Sequence, residues 1–315
     1  MNGIAIISHN ILLLSIMMLI GYAAVKTGYI STDAKNMLSR IIVRITLPLL
    51  IVNSLTSVEL DATRLKNSLF VIIAAVITIA ILYIIGTGIS KLLRQPMQTA
   101  LIHRCMTAFG NIVFLGYPLI QALYGADGLF YAALYAFVND LFVWTFVVWW
   151  LTVLNGGKKQ SAKETLINCL NPPTIAFAVS FIMLIFGVKL GGAIKEVAGG
   201  MGGTTTYLSM IFIGGTLAEA KVSDLLKAFS TLLIVLIKML IMPVILIFVM
   251  RLLPFDPLVK GVVVMQAAVP SQTIISVLTK EYGGDTDYVV KGIFITTVFG
   301  LLTMPFIYYL LSTFM

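Results

Sequence analysis

The sequence predicts an all-α membrane protein of about ten transmembrane helices, arranged as two inverted five-helix repeats. Three observations predict this fold class: the composition, the regular spacing of apolar stretches and the uneven distribution of basic residues. Of the 315 residues, 59% are hydrophobic and 11% are charged, and the mean hydropathy is +1.03. A soluble domain covers its core with a polar surface that this composition cannot supply. We therefore expect the lipid bilayer to be the main partner of the chain.

Apolar stretches that are long enough to cross a bilayer recur from end to end, since a hydrocarbon core about 30 Å thick needs roughly 20 residues per helix. The stretch 191–203 between segments 6 and 7 is glycine-rich, which leaves nine spans as the alternative count. The first stretch follows no basic residue and precedes no small-residue cleavage pattern, so we expect a retained helix rather than a signal peptide. In chain order, segments 1 to 10 are predicted at 4–25, 37–55, 69–93, 98–122, 128–154, 172–187, 204–218, 229–253, 259–281 and 288–312.

Basic residues give the segments an orientation. Fourteen of the 21 lysines and arginines, including Lys35, Arg40 and Arg44, fall in the connections after odd-numbered segments, six fall on the other side, and Lys238 lies inside segment 8. Cytoplasmic connections are enriched in Lys and Arg. Both termini are therefore expected on the extracellular or periplasmic side of the cell membrane. The net charge of +8 is explained by residues beside lipid headgroups, and no nucleic-acid partner is expected.

The longest polar connection, 155–171, lies at the midpoint and is expected to be cytoplasmic. It divides the chain into a first five-helix repeat, 1–154, and a second, 172–315. Because each half has an odd number of segments, the second half enters the membrane from the opposite side, which makes any repeat an inverted one. Two pairs of motifs support the repeat: Lys26-x-Gly28 with Lys189-x-Gly191, and Tyr124-Gly-x-Asp127 with Tyr282-Gly-x-Asp285.

Segments 4 and 9 each contain a proline bordered by polar residues near mid-membrane, Pro118 and Pro270. Proline removes a backbone N–H and clashes with the preceding turn, so it frees peptide groups where lipid offers no partner. In transporters such groups line a polar substrate cavity. The alternative is that both prolines only kink packed helices, as we expect of Pro48, Pro243 and Pro305. The predicted substrate-binding residues are Asn111, Gly116, Pro118, Asn139, Gln266, Pro270, Ser271 and Gln272, with Thr273 beside them.

Two charged residues lie inside predicted spans. Asp140 is at the middle of segment 5, where a carboxylate costs about 2.5–3.5 kcal/mol on insertion scales. We hypothesise that Asp140 binds a coupling ion, H⁺ or Na⁺. Lys238 in segment 8 either forms a structural ion pair with Asp140 or attracts an anionic substrate.

The sequence predicts no catalytic residue, no metal site and no cofactor other than the coupling ion. It contains no phosphate-binding loop, nucleophile elbow or zinc motif. Cys105 and Cys169 lack the spacing of a metal site or a disulfide framework, so each is expected to pack as a small apolar residue.

Several of these motifs occur together in one known family. The chain has Gly21-Tyr22, Lys26-x-Gly28-Tyr-Ile30 and Leu47-Pro48 near its start, then Asn111, Gly116 and Pro118 in segment 4. Lys238 precedes Pro243 by five residues, and Gln266-Ala-Ala-x-Pro270 is followed by Lys280-Glu281-Tyr282. Over nearly its whole length the chain resembles the auxin efflux carrier family, which includes the plant PIN proteins and bacterial malonate-permease-like transporters.

The resemblance implies a fold like that of the bile-acid sodium symporters and sodium/proton antiporters, with segments 4 and 9 crossing at their interruptions. It also implies a scaffold of segments 1, 2, 6 and 7 that forms a homodimer, and a mobile transport domain of segments 3 to 5 and 8 to 10. We accordingly expect a secondary transporter that moves a small organic anion, a carboxylate or auxin-like weak acid, by an elevator mechanism.

The alternatives are a sodium-coupled symporter of the bile-acid group and a channel or receptor-like membrane protein. Two features depart from the family pattern. Relatives more often have an asparagine where this chain has Asp140, and the long central loop of the plant carriers is absent.

Overall fold

The computed structural model of the chain describes residues 3–154, 164, 170–219 and 229–315, and their side chains outside 3–11 and 219. Its regular elements, within those ranges, are helices. The α-helices in chain order are α1 (Gly3–Lys26), α2 (Thr32–Ile41), α3 (Leu47–Thr56), α4 (Ala62–Leu92), α5 (Met97–Ala108), α6 (Tyr117–Phe142), α7 (Val148–Leu154), α8 (Pro172–Ile185), α9 (Gly192–Glu219), α10 (Phe229–Ile234), α11 (Met242–Arg251), α12 (Pro257–Ala268), α13 (Ile274–Tyr282) and α14 (Thr286–Phe314).

Five helical stretches of the described chain are long and apolar enough to cross a membrane. Three shorter apolar helices, Leu12–Lys26, Pro172–Ile185 and Pro257–Ala268, accompany them. The prediction of an all-α, multi-pass membrane protein is therefore confirmed, while the ten-span inverted repeat stays a prediction. The five stretches are Thr32–Thr56, Ala62–Leu92, Ile112–Leu154, Phe229–Arg251 and Thr286–Phe314.

Three prolines follow π-helical turns instead of breaking their helices. Pro48, Pro118 and Pro243 each occupy the second position of an α-helix, directly after the π-helical stretches Ile42–Thr46, Ile112–Gly116 and Val235–Ile241. The wider π turn accommodates a residue that lacks an N–H and whose ring crowds the preceding carbonyl. The helix consequently continues through Pro118, which was expected to mark the interruption of segment 4.

The stretch Ile112–Leu154 is 43 residues long. At 1.5 Å per residue a straight helix of this length would extend about 65 Å, roughly twice the thickness of a bilayer core. Gly125 divides it, because its backbone angles of φ 63° and ψ −151° are not helical. This is where the sequence predicts the boundary between segments 4 and 5.

The two pairs of repeated motifs have different outcomes. Gly125 and Gly283 both have positive φ, at 63° and 90°, and each precedes an aspartate by two residues, so the Tyr-Gly-x-Asp echo corresponds to a shared local geometry. The Lys-x-Gly echo does not. Gly28, with φ 76°, lies two residues after the end of α1, but the glycine at the same distance from the end of α8 is Gly187, with φ 66°, rather than Gly191.

Three predicted starts are wrong. Segment 3 was expected to begin at 69, but α4 begins at Ala62, because the Asp61 side chain caps it by accepting a hydrogen bond from the Arg64 N–H at 2.6 Å. Segment 2 was expected to begin at 37, but α2 begins at Thr32, because the Ser31 side chain caps it by accepting a hydrogen bond from the Ala34 N–H at 3.2 Å. Segment 7 was expected to begin at 204, but α9 begins at Gly192. One glycine of this added stretch lies against the backbone of another helix, since a Cβ at Gly202 would lie 2.8 Å from the Leu50 Cα.

The structure places three basic residues on helical elements, although they were expected in connections. Lys35 and Arg40 lie on α2, and Arg44 lies on the π turn that follows it. Most of the connection 155–171, with Lys158, Lys159, Lys163 and Cys169, lies outside the described residues, as do Lys221 and Lys227. Cys105 is buried, as expected for a small apolar residue.

Helices α1 and α9 pack backbone to backbone. A Cβ at Gly21 would lie 2.3 Å from the Ile211 carbonyl oxygen, and one at Gly214 would lie 1.8 Å from the Met18 carbonyl oxygen. Small residues allow this approach in membranes, where packing must replace the hydrophobic effect between helices. This helix pair therefore has no room for a side chain at either glycine.

We predict that Gly214→Ala lowers the free energy of unfolding in detergent by about 1–3 kcal/mol, because the helices must separate to admit one methyl group. The matched control is Gly88→Ala in α4, where a Cβ meets no atom within 4 Å. That variant should be unchanged or slightly stabilised, since alanine favours a helix over glycine. Equal melting temperatures for the two variants would contradict the close packing.

Candidate functional site

The first element of the site is a crossing between two interrupted helices. Helix α5 ends at Ala108 and the chain becomes helical again at Ile112, while α12 ends at Ala268 and α13 begins at Ile274. The two non-helical stretches, 109–111 and 269–273, lie antiparallel, with Gly110 opposite Ser271. The crossing predicted between segments 4 and 9 is therefore present, but in the first half it lies at Phe109–Asn111 and not at Pro118.

Two backbone hydrogen bonds hold the crossing together. The Asn111 N–H donates to the Pro270 carbonyl oxygen at 2.8 Å, and the Gln272 N–H donates to the Phe109 carbonyl oxygen at 3.2 Å. Peptide groups at membrane depth must find partners within the protein. Each interruption thus supplies partners for the other.

Gly110 allows this contact. A Cβ at this position would lie 2.4 Å from the Val269 Cγ2, closer than any real side chain tolerates. Gly110 was not among the predicted site residues. Its requirement arises from a neighbour 159 positions away in the chain, which no local pattern reports.

Amide side chains connect the crossing to α6. The Asn139 Oδ1 accepts a hydrogen bond from the Gly110 N–H at 3.2 Å, and its Nδ2 donates to the Gln272 Oε1 at 3.0 Å. The Asp140 Oδ1 accepts from the Gln272 Nε2 at 3.0 Å and from the Asn139 Nδ2 at 3.2 Å. Four predicted site residues, Asn111, Asn139, Asp140 and Gln272, are therefore brought together with both interruptions.

Lys238 does not pair with Asp140. Its side chain is 1% exposed, and its Nζ donates to the Ala108 carbonyl oxygen at 3.4 Å, at the C-terminal end of α5. A cation at this position is favourable because the last carbonyls of a helix carry partial negative charge. The structural ion pair weighed in the sequence analysis is absent from this structure, and Lys238 instead compensates the end of an interrupted helix.

Ser271 is bound on both sides of the crossing. Its Oγ donates to the Met106 carbonyl oxygen at 2.8 Å, and its N–H donates to the Thr296 Oγ1 at 3.3 Å. Thr296 was not predicted as a site residue. Its hydroxyl also bonds to the Gly292 carbonyl oxygen at 2.9 Å, an ordinary pattern for a helical threonine that carries no signal of a site.

Gln266 lies against Gly116 away from this hydrogen-bond network. A Cβ at Gly116 would be 2.3 Å from the Gln266 Oε1, so the glycine makes space for the amide. The Gln266 side chain is 1% exposed, and neither its Oε1 nor its Nε2 has a hydrogen-bond partner among the described residues. A buried amide without partners is costly, by about 1–3 kcal/mol for each unmet group.

A cavity of about 750 Å³ leads to one face of the crossing, and we call it the basic cavity. Asn111 and Thr273 form part of its lining at the crossing, and Lys35, Arg40 and Arg44 line it from α2 and the following π turn. No acidic side chain appears in the described lining. The other lining residues are Asn36, Ser39, Val43, Phe114, Phe212, Ile213, Thr216, Leu217, Ile274, Ser276, Val277, Val290, Ile293, Phe294 and Thr297.

A second cavity, of about 40 Å³, is lined mostly by apolar side chains and by no residue of the two non-helical stretches. Leu14 and Met18 of α1 and Met210 of α9 meet Leu115 and Met304 around it. Of these two cavities, the basic cavity is the one that residues of the crossing line.

No group of three or more His, Cys, Asp or Glu that could hold a metal ion occurs in the part of the chain that the structure describes. The site instead offers amides, hydroxyls, free helix ends and nearby cations. Such groups bind and orient polar solutes through hydrogen bonds and charge.

We predict that Gln272→Leu lowers the free energy of unfolding by about 1–3 kcal/mol, because it leaves amide and carboxylate partners unmet at the crossing. Gln121→Leu in α6 is the control, since the Gln121 side chain is half-buried and makes no hydrogen bond within the described residues. Its stability in a detergent melt should stay the same or rise. A control that loses as much as Gln272→Leu would show that the network contributes nothing specific.

The sequence is similar to those of membrane transporters over nearly its whole length. The model of the family described as "Membrane transport protein" matches residues 6–308. The chain is 25% identical over 308 residues to an uncharacterized transporter of Methanothermobacter thermautotrophicus, which covers 95% of this chain and 96% of the relative. It is 23% identical over 301 residues to an uncharacterized transporter of Methanocaldococcus jannaschii, covering 93% and 95%.

Proposed function

The chain belongs to the Membrane transport protein family, that of the auxin efflux carriers, and on that premise we propose that it carries a small organic anion by alternating access. One observation carries the proposal: the two interrupted helices cross beside the basic cavity, which Asn111 and Thr273 help to line. Interrupted helices with polar groups at the crossing form the substrate sites of many secondary transporters.

Charge favours an anion. Lys35, Arg40 and Arg44 line the route to the crossing, and Lys238 lies beside it. Cations lining a cleft raise the local concentration of anions and speed their entry. A carboxylate also suits the hydrogen-bond donors available at the crossing, since it accepts from amides and hydroxyls.

The asymmetry of the two cavities supports alternating access. The basic cavity lies between segments 2 and 7, which we assign to a scaffold, and segments 4, 9 and 10, which we assign to a transport domain. Movement of the transport domain along the scaffold would open the apolar contact at Leu14 and Met210 and close the basic cavity. An elevator motion of two inverted repeats, with the scaffold forming a homodimer, is consistent with this division.

Proton coupling through Asp140 is the favoured form of energisation. Three side-chain oxygens of the network, on Asn139, Gln272 and the Asp140 Oδ1, already accept hydrogen bonds, so the network offers a sodium ion a single oxygen that accepts none, the Asp140 Oδ2. Both hydrogen bonds to Asp140 end at Oδ1. Oδ2 is consequently the oxygen that can take up a proton without breaking the network.

Counterflow tests whether the protein is a carrier. Proteoliposomes loaded with unlabelled malonate are placed in a trace of labelled malonate or indole-3-acetate, and uptake is followed over time. We expect labelled acid to accumulate transiently above its external concentration. Asn111→Ala, which keeps the backbone bond to Pro270, should slow exchange by about tenfold through the loss of a polar contact.

Entry of label without a transient overshoot would identify a channel. Absence of exchange with both malonate and indole-3-acetate would reject the anion proposal. Asn53→Ala provides a matched variant control, because Asn53 lies in α3 and lines neither of the two cavities. It should exchange at the wild-type rate.

Asp140→Asn tests the coupling. We expect the wild-type protein to concentrate the acid when a pH gradient is imposed across the vesicles, and the variant to exchange acid in counterflow without concentrating it. Asparagine keeps the shape and one acceptor oxygen but cannot take up a proton. Accumulation by the variant under the same gradient, or dependence of the wild-type protein on sodium instead of pH, would contradict the assignment.

A further inference from the structure

The cationic wall of the basic cavity is a second polar feature, separate from the crossing. Lys35, Arg40 and Arg44 project from one face of α2 and its π turn, together with Asn36 and Ser39. Asn36, Arg40 and Arg44 follow one another at intervals of four residues, which places them on adjacent turns of the same face. A surface helix usually presents its basic side chains to lipid headgroups, but here these side chains line a cavity.

The shape of the cavity favours a soluble ligand. At about 750 Å³ it is several times larger than a short-chain dicarboxylate, so such a ligand can occupy the cationic wall without contacting the crossing. The wall facing the arginines combines the hydroxyls of Ser276 and Thr297 with apolar Val290 and Phe294. This mixture suits a small acid with a short carbon chain.

The chemistry of arginine restricts the class of anion that fits the cationic wall. A guanidinium is always charged and binds carboxylate or phosphate oxygens through two parallel N–H groups, which lysine cannot do. Two arginines one turn apart can engage two acidic groups or one dianionic group. A monoanion satisfies only part of this surface.

We propose that Arg40 and Arg44, with Lys35 beside them, form an anion subsite that binds soluble dianions in the basic cavity, apart from the crossing. The inference deepens the proposed function and rests on it only in identifying the bound dianion with the transported solute. Because the subsite belongs to segment 2, which we assign to the scaffold, it binds the dianion on the side of the protein to which the basic cavity opens. It gives that face a preference for substrates with two negative charges.

Arginine modification tests the subsite without measuring transport. Purified protein is treated with phenylglyoxal, and the extent of modification at each arginine is measured by mass spectrometry. We expect malonate or sulfate to slow modification of Arg40 and Arg44 by roughly tenfold at ten times the dissociation constant, relative to sodium chloride of equal ionic strength. Arg94 and Arg251, which lie outside the cavity lining, are internal controls and should not be protected.

Equal modification of Arg40 and Arg44 with and without the dianions would overturn the proposal. The experiment is repeated with phosphatidylglycerol in neutral detergent, because a lipid headgroup has the same chemistry as a soluble phosphate. Protection by phosphatidylglycerol without protection by malonate or sulfate would also overturn it, since the cationic wall would then bind lipid. Protection by the dianions in a protein that shows no counterflow would uphold the subsite and reject the carrier.

Variants give a second, independent measurement. Calorimetric titration with malonate should show about tenfold weaker binding for the double variant Arg40→Gln/Arg44→Gln. The loss of affinity should be smaller for Arg40→Lys/Arg44→Lys, which keeps the positive charges but lacks the two parallel N–H groups of a guanidinium. Lys91→Gln, at the exposed C-terminal end of α4, removes a basic residue outside the cavity and should bind as the wild-type protein does. Wild-type affinity in the Gln double variant would refute the subsite.

Discussion

Two helices that stop in the middle of a membrane protein leave peptide groups that lipid cannot satisfy, and the rest of this structure depends on how they are satisfied. Asn111 bonds to Pro270 and Gln272 bonds to Phe109, so two interruptions that would each be costly alone become mutually supporting. Gly110 permits the contact, because any side chain there would strike Val269. The polar site is thus a by-product of backbone pairing.

The surrounding side chains complete what the backbone bonds leave unmet. Asn139 and Gln272 place amides between the crossing and Asp140, and Lys238 lies at the carbonyl end of α5. Each of these groups would be unfavourable in lipid by itself, but together they make a hydrogen-bonded region that can exchange a partner for a solute or a proton. The basic cavity reaches this region at Asn111 and Thr273.

The sequence predicts the membrane class and much of the site, because both depend on residue type. Amides and hydroxyls beside a mid-membrane proline are rare enough to locate Asn111, Ser271 and Gln272. The location of the first interruption could not be predicted from Pro118, since a π turn accommodates that proline as it does Pro48 and Pro243. Whether a helix widens to accept a proline depends on its packing and not on the local sequence.

The positions and partners of the charged residues were predicted less accurately than those of the uncharged polar residues. The excess of basic residues on one side placed Lys35, Arg40 and Arg44 beside headgroups, although α2 and the π turn after it carry them into a cavity. Asp140 and Lys238 looked like partners because both are isolated charges in apolar helices. Asp140 is instead bound by the amides of the adjacent Asn139 and the distant Gln272, and Lys238 by a backbone carbonyl of the distant α5.

Hydrogen–deuterium exchange in lipid nanodiscs tests the central claim most directly, because it measures the backbone bonds of the crossing. Non-helical stretches usually exchange within seconds, whereas paired amides inside a protein are protected. We expect the Asn111 and Gln272 amides to exchange as slowly as those in the middle of α12. Exchange of these two amides at the rate of the loops that connect the helices would show that the crossing is not formed, and would contradict the site built on it.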